Sequence, residues 1–558
     1  MTTSPRDSTA EGDPDLLRRN LGALAEVDAP LARRLDAPAR RDHVRQGPGG
    51  AWLVRLHDRW LALAPEEERR DALVRSVAGA ERVELVGVGL GELLPPLLRH
   101  AALRAWSHDP WLLRMALGRV DVVDALRDGR LRLALGSDLA RWRADAGAWS
   151  RLVHPQLAPL NRVERAFLET QPSQPVALLA RGGLFVGALG RALAARGYAV
   201  WPLDLEGLAA EECELAAREL EAELCACVNW LEGLERFAHG QELECVCWEI
   251  DPSTSPLRAP SGSTERVHVF TWRRAHVGVF RERGFSHVEH LPLAAEPALR
   301  HEPDWEPGER EEYAVPIALV GTSMVERVPE YRALLLQAWE SWRGAPAGES
   351  GGVALFEELL AFQRARQHEW VLPELLEERA PGLGAVEVRA HTALALLGEV
   401  AASEKRLAYA ANLGASGLHA WGDAGWKLVE RHGVRYRGPA GHERELTRIY
   451  ASGALQLDLS RLYQMDIVTM RVFDVLACGG PLLCEAHPEL ERLFTPGVEL
   501  DTYRDVAELK RKAAHWLERP EEARAMGERG RERVLAAHTI EQRVEHMLAR
   551  VDERRSVR

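Results

Sequence analysis

Three stretches of the chain alternate short apolar runs with longer amphipathic ones. In the first, residues 81–138, ERVELVGVGLGE reads as a strand ending in a glycine-rich turn, and LLPPLLRH starts a helix with proline in its first turn. RAWSHDP is a second strand closing on Asp109, WLLRMALGR a helix, and RLRLALGSD a third strand closing on Asp138. Strand and helix alternating at this spacing predict a parallel, Rossmann-like sheet. A second alternation begins at Pro175 with PVALLA, the turn and helix GGLFVGALGRALAARG and the strand YAVWPLDLEG. It continues through an acidic helix over about 209–223 and the strands CACVNW, ECVCWEI and RVHVFTW, and ends at HVEHLPLAAEP. A third starts at Tyr313 with YAVPIALVGTS and gives way to helical sequence up to about residue 412. Its sheet pattern resumes with GLHAWGD, VRYRGP and ALQLDLS, and a run of helices rich in Glu and Arg fills about 505–551.

Other segments punctuate these blocks. Residues 14–47 read as helix, WLVRLHD as a strand, and Pro65 to Gly79 as another helix. Residues 151–174, with HPQLAPLNR and QPSQP, read as a domain junction, and the Glu- and Pro-rich 298–312 as a linker. The expected organisation is α/β: a helical segment and Rossmann-like domain over 1–150, a second such domain over 175–300, and a third over 313–551 with a helical C-terminus.

A length of 558 residues exceeds one ordinary core and suggests three domains, or four at most. The net charge of -13 argues against a nucleic-acid polymer as partner. The polar, acidic start MTTSPRDSTAEGDPD and the absence of a run of about twenty apolar residues predict a cytoplasmic protein without a transmembrane segment. The cysteines in Cys225-x-Cys227 and Cys245-x-Cys247 lie in strand-like apolar runs. They read as buried small hydrophobes rather than as metal ligands. No obligatory cofactor and no metal are expected.

The most distinctive segment is DIVTMRVFDVLACGGPLLCE, from Asp466 to Glu485. Asp466 and Asp474 stand eight residues apart, and Gly479 and Gly480 separate a helix from the strand PLLC. With a helix opening near Arg471, Asp474 is expected close to its N-terminus, where a carboxylate can accept the hydrogen bonds of a ribose diol. Asp466, one loop earlier, can reach a sugar hydroxyl. This segment resembles the donor-binding motif of group 1 glycosyltransferases of the GT-B fold, in which two Glu residues eight apart precede a small-residue run ending in Gly. It most resembles the CgeB-like, spore-maturation type, through Met470-Arg471-Val472-Phe473-Asp474 and Leu476-Ala477-Cys478-Gly479. The likeness extends over about 450–545, including PELERLFTPGVELDTYRD and HTIEQRV. Both acids are Asp here, one methylene shorter than the family's Glu, which weakens the sugar contact through Asp466.

The resemblance implies a GT-B pair with a cleft between its two domains, a nucleotide-sugar co-substrate, and retention of anomeric configuration as in the broad group. In its donor half, ALVGTSMVERVPEYRALL supplies Gly321 for close backbone approach and Arg327 for a diphosphate. GLHAWGDAGW places Gly422 and Asp423 at the C-terminal edge of the sheet, where ligands of open α/β sheets bind. His442 and Glu443 are candidate base contacts. On the acceptor side the candidates are Gly182 and Gly183 in a glycine-rich turn, and Glu249 and Asp251 in CWEIDPSTSP. No residue is assigned as general base.

The N-terminal block has a likeness of its own. Gly87, Gly89 and Gly91 follow a strand, and Asp109 ends the next about twenty residues later, an arrangement suited to a dinucleotide or S-adenosylmethionine. Together with Asn20, Leu21, GVGLGE and HDP it resembles the motility-accessory (Maf) proteins linked to flagellin glycosylation. The sequence thus points to a glycosyltransferase acting from a nucleotide sugar on a glycan, protein or surface component. Two alternatives stand beside it: a non-catalytic GT-B relative that binds or builds, and an enzyme whose active site is the N-terminal nucleotide-like domain.

Overall fold

The computed structural model describes residues 12–556, except 37–43, 48–49, 57–58, 182, 206–207, 252–256, 443 and 465. The chain forms two compact units, one of residues up to 228 with 233–246, the other of 229–232 with 247–558.

The first unit opens with helices Pro14–Val27 and Ala29–Asp36. The sequence predicts one helix here, but Asp28 interrupts it: its carboxylate accepts from the Leu31 amide, and Pro30 fits only the opening turn of a new helix. Strands β1 (Val44–Gln46), β2 (Trp52–Leu56) and β3 (Arg59–Ala62) make a small antiparallel sheet. Next come β4 (Arg82–Val86), β5 (Ala102–Ser107), β6 (Leu131–Leu135) and β7 (Ser150–Val153), a parallel sheet in the order β6-β5-β4-β7. The strand β7 lies where a junction is expected, because four residues are too few to display an alternation. Leu17, Leu24, Leu31 and Leu35 of the opening helices join Val83, Leu85, Leu103 and Leu131 of this sheet in one core.

A second sheet contains β8 (Val176–Ala180), β9 (Ala199–Leu203), β10 (Ala222–Val228), β11 (Glu244–Glu249), β12 (Val267–Thr271) and β13 (His287–His290), in the order β13-β12-β11-β10-β8-β9. Its strands are buried nearly throughout, as strands covered on both faces require.

The third sheet belongs wholly to the second unit. It opens with β14 (Ile317–Val320); helices Val328–Arg343, Gly352–Arg364, Leu372–Arg379 and Ala393–Leu413 follow, with the short hairpin of β15 (Glu387–Val388) and β16 (His391–Thr392) between the last two. They share a core of Leu334, Leu335, Phe356, Leu359, Leu397 and Val400. Strands β17 (Leu418–Trp421), β18 (Arg435–Tyr436), β19 (Leu455–Leu457), β20 (Leu482–Glu485) and β21 (Asp501–Tyr503) complete a parallel sheet in the order β18-β17-β14-β19-β20-β21. The central position of β14 puts the strand order's reversal beside it, the place where open α/β sheets bind ligands. Helices Val506–Leu517, Pro520–Ala537 and Ile540–Arg555 close the chain. The fold is therefore α/β with Rossmann-like sheets, a GT-B-like core and a helical C-terminal region. Among the described residues no helix is long and apolar enough to cross a membrane.

Candidate functional site

The C-terminal ends of β14, β17 and β19 bring several candidates together. Gly321 follows β14 with φ of 149°, and a Cβ there would lie 2.7 Å from Arg471 Nη2 and 2.9 Å from Arg406 Nη2. Two guanidinium groups thus close on one glycine backbone. Arg406 donates from Nε to the Thr322 carbonyl at 2.8 Å and from Nη1 to the Leu459 carbonyl, while its buried Nη2 has no hydrogen-bond partner among the described residues. Burial, with Arg471 nearby, pushes its pKa down to about 10. Arg471 donates to the buried carboxylate of Asp458, the residue after β19, and its buried Nε has no hydrogen-bond partner among the described residues. Burial opposes the charge on Arg471, but Asp458 outweighs it and the net shift is upward. Asp458 also accepts from Thr469 Oγ1 at 3.2 Å. Two cations, one counter-charge and unused N–H donors at a sheet's C-terminal edge form a setting that favours an added anion.

Gly422 and Asp423 lie at the same edge but serve the loop itself. Asp423 accepts from the hydroxyls of Thr322 and Ser323, from the Ser323 amide at 2.6 Å and from the Gly425 amide at 2.9 Å. Burial works against its charged form, yet these hydrogen bonds prevail and its pKa falls below the usual value. Arg327 is mostly exposed; its guanidinium stacks over Tyr331 at 4.9 Å and sits 3.5 Å from Glu330.

Asp474 does not occupy the first turn of its helix. The helix begins at Met470, because Thr469 is still extended, so Asp474 sits one full turn further in. It is buried and receives Arg300 Nε on Oδ2 at 3.1 Å. Burial raises its carboxyl pKa, and Arg300 only partly opposes this. Arg300 also donates to Thr447 Oγ1 at 3.3 Å and to the His442 carbonyl at 2.9 Å. Glu443 lies outside the described residues. Gly479 ends the helix with φ of 75°, a conformation that favours glycine, and Gly480 leaves room for the Tyr450 carbonyl.

Asp466 is held by Arg273, the residue that caps helix Arg274–Glu282 after β12, at 2.8 Å from Nη2 and 3.3 Å from Nε. The neighbouring Arg274 grips Glu489 with its Nε 2.9 and 3.0 Å from the two oxygens. On β11, Glu249 is buried and accepts from Thr271 Oγ1 at 2.5 Å, with His276 Nδ1 3.5 Å away. Asp251 is exposed and accepts from Asn229 Nδ2 at 2.6 Å. Gly183 has φ of 91°, and Gly182 lies outside the described residues.

In the first unit Gly87, Gly89 and Gly91 all adopt positive φ. The turn they make is filled from within: a Cβ on Gly89 would lie 2.5 Å from His154 Nε2, and one on Gly87 would lie 3.0 Å from Asn161 Nδ2. His154 Nε2 is 2.9 Å from Glu92 Oε1. Asp109 caps helix Pro110–Leu117, accepting from the Trp111 amide at 2.7 Å. The glycines thus serve internal packing, and Asp109 a helix start.

All seven cysteines are buried and unbridged. Among the described residues no group of three or more His, Cys, Asp or Glu is placed to hold a metal ion.

Arg273, His276, Arg300, Arg406 and Asp458 carry this geometry, and the sequence reading names none of them. Asp458 had a signal, an acid directly after the apolar run ALQL. Arg406 and Arg300 had none, since one lies within a long helix and the other in a Glu-rich linker.

These features belong to an α/β chain with a GT-B-like core. Residues 400–549 match the family described as "Glycosyl transferase-like". No curated protein matches the chain. Among solved structures, sucrose-phosphate synthase from Thermosynechococcus elongatus is 14% identical and covers 69% of this chain and 100% of its own, with a TM-score of 0.42. Anabaena HepE in complex with UDP is 10% identical over 69% of this chain and 100% of its own, with a TM-score of 0.37. An MAf glycosyltransferase from Magnetospirillum magneticum AMB-1 is 12% identical over 52% of this chain and 58% of its own. Its TM-score of 0.21 gives no specific support to the motility-accessory likeness of the N-terminal block. The spore-maturation type likewise finds no specific match.

Proposed function

We propose that the protein is a glycosyltransferase that moves a sugar from a nucleotide-sugar donor to a glycan, protein or surface-component acceptor. The observation that carries this reading is the convergence of Arg406 and Arg471 on the Gly321 backbone, at the C-terminal edge of the third sheet. Both arginines fall within the residues that match the glycosyl transferase-like family. A nucleotide diphosphate is an anion suited to paired guanidinium groups, and stabilising it as a leaving group is the main electrostatic task of sugar transfer. Asp474 and Asp466 are the candidate ribose and sugar contacts, each reached through the arginine that now holds it. The internally filled glycine turn of the first unit speaks against an N-terminal nucleotide or S-adenosylmethionine site.

Thermal denaturation with UDP-, GDP-, dTDP- and CMP-sugars and with S-adenosylmethionine tests this. A ligand that binds the folded state raises the melting temperature by mass action. A shift with at least one sugar nucleotide, reduced in Arg471→Gln, is expected. Stabilisation by S-adenosylmethionine alone would overturn the reading, as would the absence of any shift.

A further inference from the structure

We infer that Trp370, Tyr463, Glu399 and Arg461 form a subsite for the sugar ring of the donor, and that this sugar is uncharged; this rests on the transferase reading above. All four residues belong to the second unit. One helix and one loop bring them together. Helix Ala393–Leu413 returns the chain to the start of the parallel strand β17, so it runs against the strands and its first turns lie at their C-terminal edge. Arg406 meets that edge at the Thr322 carbonyl, and Glu399 stands about two turns, or about 10 Å, nearer the start of the helix. Arg461 and Tyr463 come from the loop after β19, whose first residue, Asp458, receives Arg471.

Glu399 Oε1 accepts from Arg461 Nη1 at 2.9 Å and from the Tyr463 hydroxyl, and Arg461 Nη1 also donates to that hydroxyl at 2.7 Å. The rings of Trp370 and Tyr463 are 6.2 Å apart at 62° and are partly exposed. Gly398 seats them both: a Cβ there would lie 3.0 Å from Trp370 Cη2 and 3.1 Å from Tyr463 Cδ1. A glycine inside a long helix weakens it, and here it gives two aromatic rings their place.

The polar groups keep bonding capacity in reserve. Glu399 Oε2, Arg461 Nε and Arg461 Nη2 make no hydrogen bond among the described residues, and none of the three is a buried orphan. The free edge of Arg461 offers two parallel donors beside a carboxylate acceptor, with aromatic carbon next to both. A pair of sugar hydroxyls needs this inventory, since each donates and accepts, while the C–H face of the ring rests on the aromatic rings. Charge decides the kind of sugar. Arg461 and Glu399 already balance one another, so a sugar carboxylate would bring an uncompensated negative charge next to Glu399, and hydroxyls bring none. Spacing favours the donor, because a sugar joined to a diphosphate held by Arg406 and Arg471 comes within reach of Glu399. Asp466, the acid expected to meet that sugar, has both oxygens engaged by Arg273, so the hydroxyls need further partners.

Isothermal titration of the full-length protein tests this. The ligands are UDP, GDP and dTDP, their neutral hexose conjugates, UDP- and GDP-hexuronates, and CMP-linked acidic sugars. The wild type is expected to bind a neutral conjugate more tightly than its bare diphosphate. Arg461→Gln, Glu399→Gln and Trp370→Leu are each expected to lower affinity for that conjugate about tenfold and to leave affinity for the bare diphosphate unchanged. The unchanged affinity reports an intact fold. Tyr463→Phe keeps the ring and the packing, and is expected to lower affinity for the conjugate alone by about threefold even where Glu399→Gln does not fold. Equal losses for conjugate and bare diphosphate would reduce the four residues to a structural role and overturn the subsite, as would an unchanged affinity for the conjugate. An acidic sugar nucleotide bound more tightly than every neutral one overturns the uncharged assignment. If nucleotides bind and only the sugar effects are missing, the subsite falls and the transferase reading stands. If the wild type binds none of these ligands, both fall.

Discussion

The Arg273 guanidinium reaches both carboxylate oxygens of Asp466, at 2.8 and 3.3 Å, across 193 residues of chain. The first acid of the segment Asp466 to Glu485 is thereby tied to the end of β12. A two-point contact of this kind fixes orientation as well as charge.

The pair is partly open to solvent, with side-chain exposures of 19% and 33%, so its contribution to stability is small. Arg273→Gln, Asp466→Asn and the double variant, compared by urea unfolding, are expected to show a coupling of about 0.5–1 kcal/mol that shrinks in high salt. The effect on sugar transfer is expected to be much larger than on stability. A coupling of zero would mean that the two side chains do not hold one another.

Gly321 permits no side chain. At φ of 149° a residue with Cβ is strained, and that Cβ would press on Arg471 and Arg406. Gly321→Ala is expected to cost about 1–3 kcal/mol in unfolding free energy and to weaken sugar-nucleotide binding in the same sample. Gly308→Ala is the control: its Cβ would meet nothing within 4 Å, and its φ of 81° carries the backbone strain alone.

Asp423 should impose a pH dependence with a defined sign. Its folded pKa is below the unfolded value, so its contribution is complete above that value and disappears as pH falls through the folded one. Asp423→Asn is expected to destabilise by about 1–2 kcal/mol at neutral pH, with the difference narrowing below about pH 4. Denaturant melts of both proteins from neutral pH to about pH 3 check it. A difference that grows on acidification would contradict the assignment.

His538 acts at milder acidity. Burial, with Arg543 beside it, pushes its pKa down to about 4, and it accepts the Arg543 guanidinium on Nδ1 at 2.9 Å. The unfolded chain binds the proton more readily, so stability present above about pH 6.5 is lost as pH falls toward 4. The wild type is expected to lose about 2 kcal/mol by pH 5 that His538→Asn does not lose, measured by melts of the two proteins side by side.

Much of the fold was legible because burial writes a period into the sequence. The runs PVALLA and PIALVG are apolar on both faces, as central parallel strands must be, and each ends in glycine or a polar turn. The GG after helix Met470–Ala477 and the acid after LQL are local signals of the same kind. Shorter elements escaped, among them β7, because four residues carry too little pattern.

The candidate site divides along the same line. Gly321, Gly422 and Asp423 stand at the strand-end turns that the sequence marks, because a glycine's φ is a local property of the turn. The partners of Asp474 and Asp466 were not legible, because Arg300 and Arg273 lie 174 and 193 residues away. An arginine in a linker or after a strand looks like any other solvated arginine until the chain folds back. The sequence by itself determined the strands and the turns, and marked Asp466 to Glu485 as the most distinctive segment. Only the tertiary structure decided which buried charges face one another, since ion pairing depends on distance in space and leaves no period along the chain.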